Sequence, residues 1–260
     1  MSTYAADVAP IEGVANVPRL AARHISKRYG HVAALSDISV DFPPGLNGII
    51  GDNGAGKSTL LKIFSGVEIP DRGAVMIDGK PTLLTSARAA RAAGIESLYQ
   101  DLALVDTMSI AANIFLGREH VRRILGARIV DRRRMRQEAD EALKKVRIRM
   151  PPSRVGVKQL SGGQRQAVAI TRAMLFGARV ILLDEPTAAL GPKETAAVLR
   201  IVRDMADSGE TVVMVGHNLP QMLELADSLI VMRAGRIVAT PDPKHTTLRE
   251  LADFMVGSHE

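Results

Sequence analysis

Between a short apolar run, Leu46 to Ile50, and a segment of helical character, Ser58 to Phe64, the chain reads Gly51-Asp52-Asn53-Gly54-Ala55-Gly56-Lys57-Ser58-Thr59. This fits G-x-x-x-x-G-K-[ST], and it restricts the fold because the pattern works only as strand, tight loop and helix in that order. The glycines let the backbone bend and bring its N–H groups up to an anion. The helix that follows points its positive end at the same place. Lys57 supplies a charge for the β- and γ-phosphates of a nucleotide, and the Ser58 hydroxyl is a ligand type suited to Mg²⁺. A Gly-rich turn matching by chance would need neither the preceding strand nor the following helix, and both are readable here.

A second segment acquires meaning from the first. Val180-Ile181-Leu182-Leu183-Asp184-Glu185 is an apolar strand ending in two acids. Taken alone it could be an acidic strand end facing solvent. Downstream of a phosphate loop, Asp184 suits holding Mg²⁺ through water, and Glu185 suits orienting and polarising an attacking water.

Further strands are expected at Gly94 to Tyr99 and Thr211 to Val215. The runs at Val180 and Thr211 are continuous and rich in β-branched residues, as strands buried on both faces of a parallel sheet are. Helical patterns separate them, which gives an α/β plan. Leu20 to Phe42 reads as short strands and turns, with candidates at His31 to Leu35 and Ile38 to Phe42, ended by Pro43-Pro44-Gly45. From about 101 to 165 strand signals fade and helix signals dominate, so this stretch reads as an inserted helical subdomain. One helix there starts after Asp131, an N-cap type, with Met135, Ala139, Ala142, Leu143 and Val146 at helical spacing. Leu229 to Met232 and Arg236 to Thr240 flank Ala234-Gly235, a hairpin pattern. Residues 1–18, rich in Ala, Val and Pro, lack a basic start followed by an apolar core and read as a loose tail. Residues 19–260 read as one domain.

Composition narrows the partners. The formal net charge is +6, a sign that suits nucleic acid or an anionic membrane, but aromatic residues are only 3% of the chain. A platform for stacking single strands wants aromatics, so no nucleic-acid partner is expected. The 260 residues include no cysteine, which excludes disulfides and thiolate metal sites. No apolar run approaches the ~18 residues that span a bilayer, so any membrane spans must come from another chain.

Leu160-Ser161-Gly162-Gly163-Gln164 is a third motif. Ser161 and Gln164 have the S-x-x-Q spacing of a capping box, and a helix is expected through Leu175. The two glycines leave the helix mouth open to a phosphate. Read together, the phosphate loop, this pentapeptide and the Asp-Glu strand end resemble the ATP-binding-cassette (ABC) ATPases from about Leu20 onward. That resemblance implies a P-loop NTPase cassette: a RecA-like α/β core, an antiparallel β subdomain and an inserted α-helical subdomain.

It also implies roles. Tyr29 matches the aromatic that stacks on adenine. Gln100 matches the Q-loop glutamine, which contacts Mg²⁺ or the attacking water and reports on the transporter partner. His217 matches the switch histidine at the γ-phosphate. Two cassettes pack head to tail in the family, so Ser161, Gly162, Gly163 and Gln164 would act on the ATP of a second cassette. The implied cofactors are ATP and Mg²⁺. The implied partners are a second cassette, either another copy of this chain or a different one, transmembrane permease subunits and, indirectly, a substrate-binding protein, with the chain on the cytoplasmic face of the inner membrane. A coupling helix of the permease would be received near Asp101 to Val105 and Asn113 to Arg118.

Two departures stand out. Ala188-Ala189-Leu190-Gly191 occupies the place of Ser-Ala-Leu-Asp, and Gly216 rather than Ser precedes His217. Within the family the chain is most similar to importers of the ribose, xylose and fructose type. Gly51-Asp52-Asn53-Gly54, Asn113 to Glu119 and Gly216-His217-Asn218-Leu219-Pro220 carry that likeness. Many members of the branch hold two cassettes in one chain; this chain has one phosphate loop, one signature and one Asp-Glu pair. The alternative within the family is a soluble ATPase of DNA repair or translation, which usually adds long coiled coils or a second cassette; no sustained heptads are present.

Overall fold

A computed structural model describes residues 17–99, 102–124, 127–146, 148–188 and 190–257. Gln100, Asp101 and Ala189, and residues 1–16 of the expected tail, lie outside the described residues. The chain forms two compact units: Met1–Ser97 with Ala178–Glu185 and Val202–Glu260, and Leu98–Gly177 with Pro186–Ile201.

The first unit holds two sheets. One pairs β1 (Leu20–Tyr29), β2 (Val32–Phe42), β4 (Arg72–Ile77) and β5 (Lys80–Thr82) in the order β2-β1-β4-β5, with every pairing antiparallel. The expected short strands are therefore two long ones. The apparent break at Ser36-Asp37 is a bulge. Asp37 takes φ 56° and donates its N–H to Ser26 Oγ, while His24 opposite takes φ 52° and its ring contacts Asp37 at 2.8 Å. Short polar side chains support such left-handed residues, so the ladder continues past them.

The other sheet has the order β12-β11-β3-β10-β9-β6. Its strands are β3 (Gly45–Ile50), β6 (Ile95–Leu98), β9 (Val180–Asp184), β10 (Thr211–Val215), β11 (Ser228–Arg233) and β12 (Arg236–Ala239). Every residue of β3 and β10 is buried, as their apolar sequences require. β10 runs parallel to both β3 and β9, with Val215 opposite Ile49 on one side and Asp184 on the other. This register decides the site, because the chain leaves β3, β9 and β10 at one shared edge. Asn47 is the polar residue in the middle of β3; its amide donates to Pro43, Gly45 and Val212 carbonyls and accepts from Ser228 Oγ. The β11–β12 turn places Ala234 at φ 47° and Gly235 at φ 74°, the two positive values a tight type I′ hairpin demands.

Helices α1 (Lys57–Phe64), α2 (Ala87–Ala92), α7 (Leu219–Leu225) and α8 (Leu248–Val256) also belong to this unit. Leu60, Leu61, Ile63 and Phe64 of α1 are buried with Phe42, Ile49, Leu182 and Val213 in one core, where Phe42 and Phe64 meet edge to face at 5.5 Å. Each such side chain stabilises the fold by about 1.5–3 kcal/mol.

The second unit contains α3 (Ile110–Ile114), α4 (Arg132–Lys145) and α5 (Gly162–Leu175). Its core joins Ile110, Ile114, Phe115, Met135, Ala139, Leu143, Val157 and Val168. Asp131 caps α4 by accepting from the Arg134 N–H. One feature adds to the expected helical subdomain: β7 (Val121–Ile124) and β8 (Ala127–Val130) form a two-stranded antiparallel sheet. Arginines interrupt its apolar residues, which hides the period-two pattern from a sequence reading. Helix α6 (Pro192–Asp207) carries residues of both units.

Candidate functional site

The loop after β3 is shaped by what its glycines touch. A Cβ on Gly51, at φ 151°, would lie 2.1 Å from the Met232 carbonyl oxygen, and one on Gly56, at φ 100°, would lie 2.6 Å from that of Ala34. Backbone on both sides thus leaves room only for glycine. Gly54, at φ 81°, faces open space at the exposed tip. Gly56 is the N-cap of α1 and brings no side chain to it, so the N–H groups of the first turn have no side-chain partner there. That is the arrangement in which a helix start takes a phosphate.

Lys57 opens α1 and is only 8% exposed. Its ammonium donates to the carbonyls of Gly51 at 2.7 Å and Asp52 at 2.9 Å. Burial pushes its pKa down, and the carboxylates of Glu185, Asp184 and Asp52 oppose that shift. A cation kept charged by three acids and bonded only to carbonyls can turn to a stronger anion.

Asp184 ends β9 half-buried. Burial raises its pKa above the usual carboxylate range; a hydrogen bond with Ser58 and the charge of Lys57 pull the other way. A hydroxyl and a carboxylate side by side are hard oxygen donors, which fits Mg²⁺ held by few protein ligands with phosphate oxygens completing the shell. Among the described residues no group of three or more His, Asp or Glu side chains forms a cage of its own.

Glu185 sits just past the strand end in a left-handed conformation, φ 48°, with its N–H donated to the Val215 carbonyl at 3.1 Å. A non-glycine residue costs roughly 1–2 kcal/mol there, a strain found where side-chain direction matters. His217 follows β10 and places Nδ1 3.5 Å from Glu185 Oε2. Tyr29, at the end of β1, is 43% exposed, with Lys27 over its ring at 5.5 Å. Burial of the hydroxyl and then Glu68 raise its pKa, while a hydrogen bond with Thr59 of the phosphate loop lowers it.

The first unit therefore gathers Tyr29, the whole loop from Gly51 to Thr59, Asp184, Glu185 and His217. Gln100 lies outside the described residues. The signature belongs to the second unit. There Ser161 Oγ accepts from Gln164 N–H and Gln164 Oε1 accepts from Ser161 N–H, so the expected capping box is complete. Gly162 is exposed, whereas Gly163 is buried because a Cβ would meet Glu194 Cγ at 2.8 Å. Gln164 also donates to the Arg149 carbonyl at 3.0 Å, a tie that spacing alone did not reveal.

The Asn113 to Arg118 segment differs from a docking surface for most of its length. Asn113 is fully buried and binds Val105 twice, accepting from its N–H at 2.7 Å and donating to its carbonyl at 3.1 Å. Ile114 and Phe115 are buried too, and the Arg118 guanidinium lies over the Phe176 ring at 4.3 Å. Leu116 and Gly117 are the exposed residues of the segment.

A family model described as ABC transporter matches residues 35–188. The fructose import ATP-binding protein FrcA of Rhizobium meliloti is 43% identical over 95% of this chain and 97% of its own length. The xylose/arabinose import ATP-binding protein XylG of Sulfolobus acidocaldarius is 41% identical over 90% of this chain and 92% of its own. Among solved structures, cbiO1 of Clostridium perfringens, part of an ABC transporter complex, superposes with a TM-score of 0.74. It shares 25% identity and covers 93% of this chain and 95% of that one.

Proposed function

The chain belongs to the ABC transporter family, and from that premise we propose that it energises a membrane importer of a monosaccharide of the fructose, xylose or ribose type. The observation that carries the reading is the shared edge of β3, β9 and β10, which supplies phosphate loop, acids and histidine from three parallel strands. The sugar class comes from the import proteins that resemble the chain over nearly its full length.

In this reading ATP lies along the Gly51 to Gly56 loop with its γ-phosphate at the start of α1. Lys57 turns from the Gly51 and Asp52 carbonyls onto the β- and γ-phosphates. The Tyr29 ring stacks on adenine. Glu185 takes a proton from the water that attacks the γ-phosphorus, the bond to the β–γ bridging oxygen breaks, and ADP leaves. His217 holds the γ-phosphate beside Glu185, and Gln100 contacts the same water. Ser58 and Asp184 would hold Mg²⁺, with Gln100 as a further ligand, and the ion would neutralise charge on the β- and γ-oxygens.

The signature residues Ser161 to Gln164 face the ATP of a second copy, so each site needs two cassettes. ATP draws the two together and hydrolysis releases them, a population shift that permease subunits convert into transport. No described helix is long and apolar enough to cross a membrane; in this reading the chain attaches peripherally to the cytoplasmic face through its permease. The test is to isolate Glu185→Gln protein from native membranes with ATP and Mg²⁺ and identify what accompanies it. A multi-span membrane protein supports the importer, and uptake of labelled fructose, xylose and ribose by cells lacking the gene then identifies the sugar. A solely soluble or nucleic-acid partner overturns the importer reading and leaves the ATP site intact.

A further inference from the structure

The β7–β8 hairpin conflicts with its own surroundings in two places. Arg123 lies directly opposite Arg128 across the ladder, and like charges facing each other weaken a strand pair. Immediately after the hairpin, α4 starts with Arg132-Arg133-Arg134, three cations against the single capping carboxylate of Asp131, so positive charge is in excess at the positive end of the helix. Arg134 pairs with Glu138. Arg122, Arg123, Arg128, Arg132 and Arg133 are all exposed, and among the described residues none forms an ion pair with a carboxylate.

The hairpin also lacks a core. Two-stranded sheets are marginal in water unless something covers a face, yet every residue of β8 is exposed. Val121 is 44% exposed, Ile129 43% and Val130 41%. Its base is nevertheless fixed: Asp131 donates its N–H to the His120 carbonyl, and His120 binds Glu138 at 2.7 Å. The result is a hairpin tied at its base in which exposed arginines stand beside exposed β-branched residues.

We propose that β7–β8 and the start of α4 form a docking surface for an anionic phospholipid bilayer. Headgroup phosphates would relieve the Arg123–Arg128 repulsion and balance the exposed charges of Arg132 and Arg133 at the start of α4. Val121 and Val130, on the same face of the ladder as Arg123 and Arg128, would enter the interface beside them. Nucleic acid suits the surface less well, because Val121 to Ile124 and Ala127 to Val130 contain no aromatic side chain on which bases could stack. This surface is separate from the ATP site, and the proposal does not depend on which sugar is carried.

The test uses the full chain without any permease. It is sedimented with vesicles of phosphatidylcholine alone and of phosphatidylcholine with about a quarter phosphatidylglycerol. The expected result is association with the anionic vesicles only, lost at about 0.5 M salt as screening shortens the reach of charge. Arg123→Gln with Arg128→Gln weakens it by about thirtyfold, while Arg123→Lys with Arg128→Lys retains it and ATP hydrolysis in solution stays unchanged in both. Equal association with both vesicle types overturns the proposal, as does unchanged association of the glutamine variant. Retention on an oligonucleotide through the same arginines, without vesicle binding, assigns the surface to nucleic acid and equally overturns it. The salt dependence tests the unaltered protein, so a variant that fails to fold does not protect the idea.

Discussion

Lys57 is the residue to which the proposed reading assigns most of the nucleotide affinity. It is buried, which lowers its pKa against the opposing charges of Glu185, Asp184 and Asp52, and it is bonded to two carbonyls that a phosphate can replace. Lys57→Ala should lower ATP affinity by at least about tenfold, since a charge-assisted bond contributes roughly twice a neutral one; titration with a fluorescent ATP analogue reads this directly, and unchanged affinity would remove the loop from its role. Gly51 offers a structural counterpart. Gly51→Ala would force a methyl into the Met232 carbonyl at a φ that L-residues rarely adopt, so loss of ATP binding with a lowered unfolding temperature is expected. The places of Lys57, Ser58 and Asp184 were legible in the sequence because each falls within a short motif; the roles proposed for them rest on that placement. The tight fit of Gly51 and Gly56 was not, because Met232 and Ala34 come from distant strands. The polar anchor at Asn113 was hidden for a similar reason: in sequence it resembles a surface residue of a family motif, and only the fold shows it holding Val105.

Among the elements, register and capping do most of the positioning. The parallel strands, the α4 cap at Asp131 and the capping box of α5 could be read in advance, since each rests on a short-range rule. The long β1–β2 ladder could not, because its bulges at His24 and Asp37 depend on side chains reaching across strands. The β7–β8 hairpin escaped because its arginines mask the alternation. Asn113→Ala should lower stability by about 1–3 kcal/mol, the cost of leaving the Val105 N–H and carbonyl without partners; chemical denaturation measures it, and a neutral result would show that water replaces the amide. Asp131→Ala should cost about 1 kcal/mol by loss of the α4 cap, readable in the same experiment.

In the proposed reading one unit of the molecule carries an ATP-binding half-site and the other the signature helix, and the chemistry joins them only between two copies. Where Ser-Ala-Leu-Asp is usual, Gly191 stands beside Glu194, and a Cβ there would lie 2.9 Å from Glu194 Oε2. The glycine thus leaves room for a carboxylate already in place. Removal of Mg²⁺ with a chelator should abolish hydrolysis while leaving weaker nucleotide binding, as expected when Ser58 and Asp184 share the ion with phosphate oxygens. The most direct test of the central claim is the sedimentation of Glu185→Gln protein with ATP and Mg²⁺ against ADP and Mg²⁺. The account predicts a roughly doubled mass with ATP and a single copy with ADP, because bound and unhydrolysed ATP holds two cassettes together. A single copy under both conditions, with ATP shown to be bound, would contradict a site shared between two chains.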